Sequence, residues 1–250
     1  RLKEAFTNWR WEPAGPLMAK LRSRKKEEEY QCLKMAQRLS GEALLRLLKE
    51  GLSGRTELEA AVRLNEYMRE AGLECMGTPL VAAGANGALA HHGADDTVIR
   101  RGDPVIIDFG GCCKGYYADI TRTVAVGDIS EEFANVFRIV RKANEAAAAA
   151  ARPGMTGEEL DAVARKIIDE AGYGAYFTHR LGHGVGLDVH EEPYIVAGNE
   201  APLLAGNVFS NEPGIYLPGR FGVRLEDVLY LREDGAECLT GLTHDILTTE

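Results

Sequence analysis

Four carboxylates stand in segments that otherwise read as the inside of a sheet. "PVIIDFGG", from Pro104, runs as an apolar strand into Asp108, and Asp119 follows eleven residues later in "GYYADITRT". Further on, "NVFSNEPG" carries Glu212, and "GVRLED" carries Glu226 fourteen residues after it. A turn at Cys113-Lys114 sets Asp108 directly opposite Asp119, and a loop centred on Gly219 does the same for Glu212 and Glu226. Opposed residues on one face of such a pair have Cβ atoms about 4.5 to 5.5 Å apart.

Two carboxylate charges about 5 Å apart cost about 3 kcal/mol at an effective dielectric near 20. Over the six pairs of a four-carboxylate cleft, the total rivals the roughly 5 to 15 kcal/mol that holds a domain together. Shared protons relieve part of this repulsion. Two divalent cations about 3.5 to 4 Å apart, bridged by carboxylates, relieve all of it. Any one of these acids alone reads as a turn cap or surface residue; the four together read as a metal centre.

"FTHRLGHGVGLDVHEEP", Phe177 to Pro193, adds His179, His183 and His190, three of the six histidines. His179 and His183 are four apart, but Gly182, Gly184 and Gly186 argue for a close-packed loop entering a strand rather than a helical zinc motif. Glycine on both sides of His183 frees it to approach an ion, and one of these histidines completes the site.

The elements that must position these groups come twice. Apolar residues recur at helical spacing from about Lys25 to Glu50, as one helix or as two broken near Ser40-Gly41, and Gly51 stops the run. "GRTELEAAVRLNEYMREAGLE", from Gly54, follows with Thr56 and Glu59 in capping-box spacing. In "GMTGEELDAVARKIIDEAGYG", from Gly154, Thr156, Glu159, Glu170, Ala171 and Gly172 repeat Thr56, Glu59, Glu70, Ala71 and Gly72 at one constant offset. Another helical run, from about Glu131 to Ala151 with Ser130 as N-cap, precedes it. "GDPVIIDFG" and "GNVFSNEPG" then place Asp108 and Glu212 equivalently. The pattern predicts a duplicated α/β unit whose pseudo-twofold brings the two carboxylate pairs face to face.

The 250 residues suffice for one large domain with a sizeable core, and 45% hydrophobic with 27% charged residues is ordinary for a globular chain. A net charge of -9 without a basic stripe argues against nucleic acid, and no apolar run is long enough for a membrane span. Five scattered cysteines form no disulfide framework, which fits a reducing cytosol. Residues 1–24, with Trp9, Trp11, Pro13 and Pro16, read as a linker or docking arm and as the remnant of an absent N-terminal domain; residues 25–250 read as the catalytic domain.

"IIDFGG", "GYYADITRT", "HRLGHGVGLDVHEEP", "NEPGIY" and "GVRLEDVLYL" together resemble, in type and order, the signature segments of the pita-bread metallopeptidases. These are methionine aminopeptidase, aminopeptidase P, Xaa-Pro dipeptidase and the metal-free creatinase, and the resemblance covers about residues 20 to 242. It implies an α+β pita-bread fold, duplicated halves around a curved antiparallel sheet, and two divalent ions. Asp108 would chelate one ion, His183 and Glu212 the other, and Asp119 and Glu226 would bridge both. It further implies that His91, in "NGALAHHG", contacts the substrate carbonyl region and that His190 stabilises the tetrahedral intermediate. By the same resemblance His179 lies near the substrate pocket, and Arg224 supports the site from behind.

"HRLGHGVGLDVHEEPYI" with "EPGIYLPGRFGVRLED" looks like the proline-directed branch. Ala90 replaces the proline common before the histidine, and polar Asn211 precedes Glu212 where many relatives are apolar. The expectation is a peptidase cleaving Xaa-Pro bonds in dipeptides or at peptide N-termini, with Glu212 as general base. Its partners are short peptides and a second copy in a homodimer, and its ions are Mn²⁺ first, with Co²⁺, Fe²⁺ or Zn²⁺ as alternatives. Rival readings are a methionine aminopeptidase and an inactive peptide-binding scaffold; the intact ligand set weighs against the scaffold.

Overall fold

A computed structural model of the chain describes residues 1–74 and 77–250, so Cys75 of the cysteine tally lies outside the described residues. Two short helices, α1 (Leu2–Ala5) and α2 (Gly15–Ser23), precede α3 (Glu27–Glu50) and α4 (Glu57–Glu70). α3 is one continuous helix through Ser40-Gly41, both buried, and the absence of a side chain at Gly41 admits Leu242 at van der Waals contact.

The first half continues with β1 (Leu80–Ala83), β2 (Pro104–Phe109), the ribbon β3 (Cys112–Cys113) and β4 (Tyr116–Tyr117), and β5 (Ile120–Val126). The second half opens with α5 (Glu131–Ala150) and α6 (Gly157–Glu170). Then follow β6 (Gly182–Gly184), β7 (Glu191–Ile195), β8 (Val208–Asn211), β9 (Gly214–Leu217), β10 (Phe221–Arg224), β11 (Asp227–Arg232), β12 (Gly235–Cys238) and β13 (Thr248–Thr249).

The duplication is explicit in the caps. Thr56 and Thr156 each accept from the N–H of the residue three on, Glu59 or Glu159, whose carboxylate reaches back to the threonine N–H. Ser130 caps α5 by accepting from Phe133 N. Each pair of helices covers its own sheet. α3 and α4 bury Leu44, Leu47, Leu64 and Met68 against Val105, Ile107 and Val124 of a four-stranded sheet ordered β1-β2-β5-β13. α5 and α6 bury Phe133, Val140, Leu160 and Ile168 against Phe209, Ile215 and Leu225, beside a five-stranded sheet ordered β12-β11-β8-β6-β7. This is the duplicated pita-bread arrangement, except that the curved sheet consists of separate ladders, with β13 parallel to β5 at one edge. A β-bridge from Thr121 to Glu226 joins the halves.

The first carboxylate pair is not in the expected register. Asp108 pairs with Thr121, two residues beyond Asp119. The turn residues are Lys114 and Gly115, both at positive φ, so Cys113 pairs with Tyr116 and Cys112 with Tyr117. This twisted two-residue turn matches the twist of its strands better than one centred a residue earlier. The offset of two is one full side-chain period, so both aspartates keep one face as diagonal neighbours. In the second half, Leu217 pairs with Phe221 and Asn211 with Asp227, the register that places Glu212 across from Glu226. No helix among the described residues is long and apolar enough to cross a membrane.

Candidate metal centre

The strand ends converge on a cavity of about 460 Å³ between the halves. Asp108, Asp119, Glu212, Glu226, His91, His179, His183, His190 and Arg224 all line it, as do Arg180, Val189 and Val196. The sequence leaves His91 and His92 adjacent, and the fold separates them. His92 turns away to set Nε2 2.7 Å from Glu57 Oε2, while His91 faces the cavity.

His183 is held by a chain of near-contacts. A Cβ on Gly182 would overlap Ser210 O, and one on Gly184 would overlap the backbone at Glu191 and Glu192, so only glycine lets the segment pass so close on both sides. His183 Nδ1 lies 3.2 Å from Gly184 O, an acceptor, so Nδ1 carries the proton and Nε2 presents its lone pair. That nitrogen stands 3.2 Å from Glu212 Oε1 and 3.5 Å from Asp119 Oδ2. Burial lowers the His183 pKa and so favours the neutral ring, while the Glu226 charge pulls in the other direction.

The carboxylates repel one another as their convergence requires. Burial, reinforced by Glu226, Asp108 and Glu212, raises the Asp119 carboxyl well above its ordinary range. Glu226 is raised likewise by burial, Glu212 and Asp108. Burial lifts Glu212 to about 7, although Arg224 pulls in the other direction. Ligand atoms of Asp119, His183 and Glu226 lie within 4.8 Å of one another. An imidazole nitrogen set among carboxyl oxygens is the donor set a divalent cation satisfies, and these residues fit one.

Supporting groups hold the donors. Ser210 Oγ donates to Glu212 Oε1 at 3.0 Å, and Thr121 Oγ1 donates to Glu226 Oε2 at 2.6 Å. Arg224 Nη2 donates to Asp108 Oδ2 at 2.6 Å, and its Nη1 donates to Tyr216 OH at 2.8 Å. Tyr216 OH in turn lies 2.8 Å from His179 Nε2, whose Nδ1 faces Arg180 O at 2.7 Å. Donors and acceptors then allow one assignment: Arg224 to Tyr216, Tyr216 to His179, His179 to Arg180 O. Burial drops His179 to about 4, consistent with that neutral ring, and raises Tyr216 to about 12.

Sequence spacing did not reveal Tyr216, Ser210, Thr121 or Arg180. A tyrosine two residues past a glycine, or a serine two before a glutamate, carries no local signal of its partner.

Residues 31–233 match metallopeptidase family M24. The chain belongs to metallopeptidase family M24. Among its M24 relatives, the probable dipeptidase PepE of Mycobacterium tuberculosis is 41% identical over 94% of this chain and 63% of its own length. The Xaa-Pro dipeptidase of Pyrococcus furiosus is 42% identical over 91% of this chain and 66% of its own. The chain therefore spans a little under two thirds of these curated relatives. The crystal structure of the X-Pro aminopeptidase from Thermotoga maritima superposes with a TM-score of 0.96 at 42% identity, over 99% of this chain and 71% of that one.

Proposed function

We propose that this M24 chain is a dinuclear-metal exopeptidase that hydrolyses the Xaa-Pro bond in dipeptides or at the N-terminus of short peptides. The observation that carries the reading is that four carboxylates and His183 line one cavity, with His183 Nε2 3.2 Å from Glu212 Oε1 and 3.5 Å from Asp119 Oδ2. Relatives bearing the names Xaa-Pro dipeptidase and X-Pro aminopeptidase support the choice of substrate.

In this reading Asp108 would hold one ion, His183 and Glu212 the other, and Asp119 and Glu226 would serve both. When bound, the ions supply a lowered water pKa and polarisation of the scissile carbonyl. Oxygen-rich ligation with one imidazole favours Mn²⁺ over Co²⁺, Fe²⁺ or Zn²⁺. Glu212, oriented by Ser210, takes the proton of the attacking water and returns it to the departing proline nitrogen. His91 and His190 line the same cavity and would meet the negative charge that develops on the carbonyl oxygen. His179, kept neutral in the Tyr216 relay, presents a fixed face to the peptide.

The same reading takes short peptides as partners, a homodimer as assembly and the cytosol as compartment, with residues 1–24 as an arm ahead of a catalytic domain at 25–250. Exposed Trp9, Leu17 and Leu21 on that arm support a docking role.

The test is cleavage of Ala-Pro, Ala-Pro-Ala and Met-Ala-Ser by EDTA-stripped protein with and without Mn²⁺. Mn²⁺-dependent release of alanine from either proline peptide supports the reading. Cleavage of the methionine peptide alone, or no turnover with Mn²⁺ bound, overturns it.

A further inference from the structure

The last turn of α2 and the segment that joins it to α3 grip the loop on which His190 stands. Lys25 is an unusual residue to find at depth: its side chain is 1% exposed, and its Nζ lies 2.6 Å from Glu191 Oε1. Arg22 Nη2 donates to the other oxygen of Glu191 and to Asp188 Oδ2, both at 2.6 Å. Glu191 is itself only 8% exposed and directly follows His190. One carboxylate is thus held at both oxygens by two cations from a distant stretch of chain, the strong charge-assisted form of hydrogen bond.

The grip is anchored on its own side as well. Lys25 N–H donates to Gly206 O at 2.7 Å, Arg24 Nε to Ala205 O at 3.0 Å, and Asn207 Nδ2 to Ser23 O at 2.9 Å. On the loop side, the room for the clamped carboxylate comes from Gly186, where a Cβ would stand 2.5 Å from Glu191 Oε1. The His190 ring packs on His183, with centroids 4.1 Å apart. Burial of Lys25 lowers its pKa, and the Glu191 charge opposes that shift. A buried ammonium is kept only where it has such a partner.

We propose that Glu191, clamped by Lys25 and Arg22, is a positioning residue that fixes His190 over the carboxylate cluster, so that the chain just ahead of α3 is a working part of the site. The role of His190 in catalysis rests on the peptidase reading above; its placement by the clamp does not. A displacement of about 1 Å of a group in the reaction can cost about a hundredfold in rate. Backbone bonds from Tyr117 N–H to Gly186 O at 2.9 Å and from Gly186 N–H to Asp188 O at 3.0 Å tie the start of the loop, and the clamp adds the side-chain tie beside His190.

The experiment uses Lys25→Met and Glu191→Gln in the full chain, each alone and in a His190→Ala background. Each single substitution is expected to lower kcat on Ala-Pro about ten- to a hundredfold with KM little changed. In the His190→Ala background each is expected to cost nothing further, because the clamp acts through the missing ring. Equal losses in both backgrounds mean the clamp serves stability alone and overturn the proposal. The imidazole ¹⁵N signals of the Zn²⁺-loaded protein give a readout independent of turnover: the His190 signals move in both variants while those of His244 stay. Unmoved His190 signals overturn the proposal. Moved signals in a protein that cleaves no proline peptide sink the peptidase reading and leave the clamp standing.

Discussion

Thr121 and Glu226 meet twice: the Thr121 hydroxyl donates to Glu226 Oε2 at 2.6 Å, and the Glu226 N–H donates to Thr121 O at 3.1 Å. The two residues come from different halves, so the contact that joins the halves also turns a carboxylate of the site. Replacing Thr121 by Val keeps the branched shape and the backbone bond but removes the hydroxyl. Mn²⁺ affinity measured by calorimetry is expected to fall about 10- to 100-fold, as for other residues that orient a ligand from behind. Thr121→Ser should restore most of it. An unchanged affinity would show that the backbone alone orients Glu226.

Removing the ions should leave the fold with a repulsion that the bound cations cancel. Mn²⁺ at a hundred times its Kd is expected to stabilise stripped protein by about 2.7 kcal/mol, read as a higher midpoint in scanning calorimetry. The Asp119→Asn, Glu226→Gln double variant should show no Mn²⁺-dependent shift.

Arg122 is buried among the core residues, at 1% exposed, and pairs with Asp227, also 1% exposed, at 2.8 Å. Its Nη1 also donates to Glu226 O at 2.6 Å. Arg122→Met leaves a buried carboxylate without its guanidinium and is expected to cost about 3 to 5 kcal/mol in urea unfolding. The value should lie toward the lower end, because His244 Nε2 stands 2.9 Å from the other oxygen of Asp227.

That histidine gives the fold a pH signature. Hydrogen bonding to Asp227 and then to Cys238 raises His244 from an ordinary 6.5 to about 10. A pKa raised on folding means that the native state binds the extra proton. Its stabilisation is therefore complete below about 6.5 and lost as pH rises toward about 10. Thermal melts of wild type against His244→Gln should differ most at pH 6 and converge by about pH 10. A constant difference across that range would show that His244 contributes packing rather than charge.

The halves, their helices and the meeting of the four carboxylates were legible because each rests on local chemistry. Thr56 and Thr156 announce helix starts, and Asp108 and Glu212 end equivalent strands. The register of the first hairpin was not legible, because Cys113-Lys114 and Lys114-Gly115 are both short turns in the sequence. Only the backbone shows that Lys114 takes positive φ with Gly115. Lys25 and Glu191, 166 residues apart, were equally invisible to local reading: "KKEEE" looks like a solvated charge run until the fold buries its first lysine. Long-range pairs of this kind have no period to betray them.

The division of the cluster between the halves has an evolutionary consequence. Asp108 and Asp119 come from the first half, Glu212 and Glu226 from the second, so neither half presents more than two of the four acids. A half-length ancestor could have assembled the cluster only by pairing with its own copy. Joined in one chain, the two copies need not be identical: His179, His183 and His190 come from the second half, and His91 alone of the cavity's histidines from the first. Asymmetry of that kind lets a site tell one end of a bound molecule from the other.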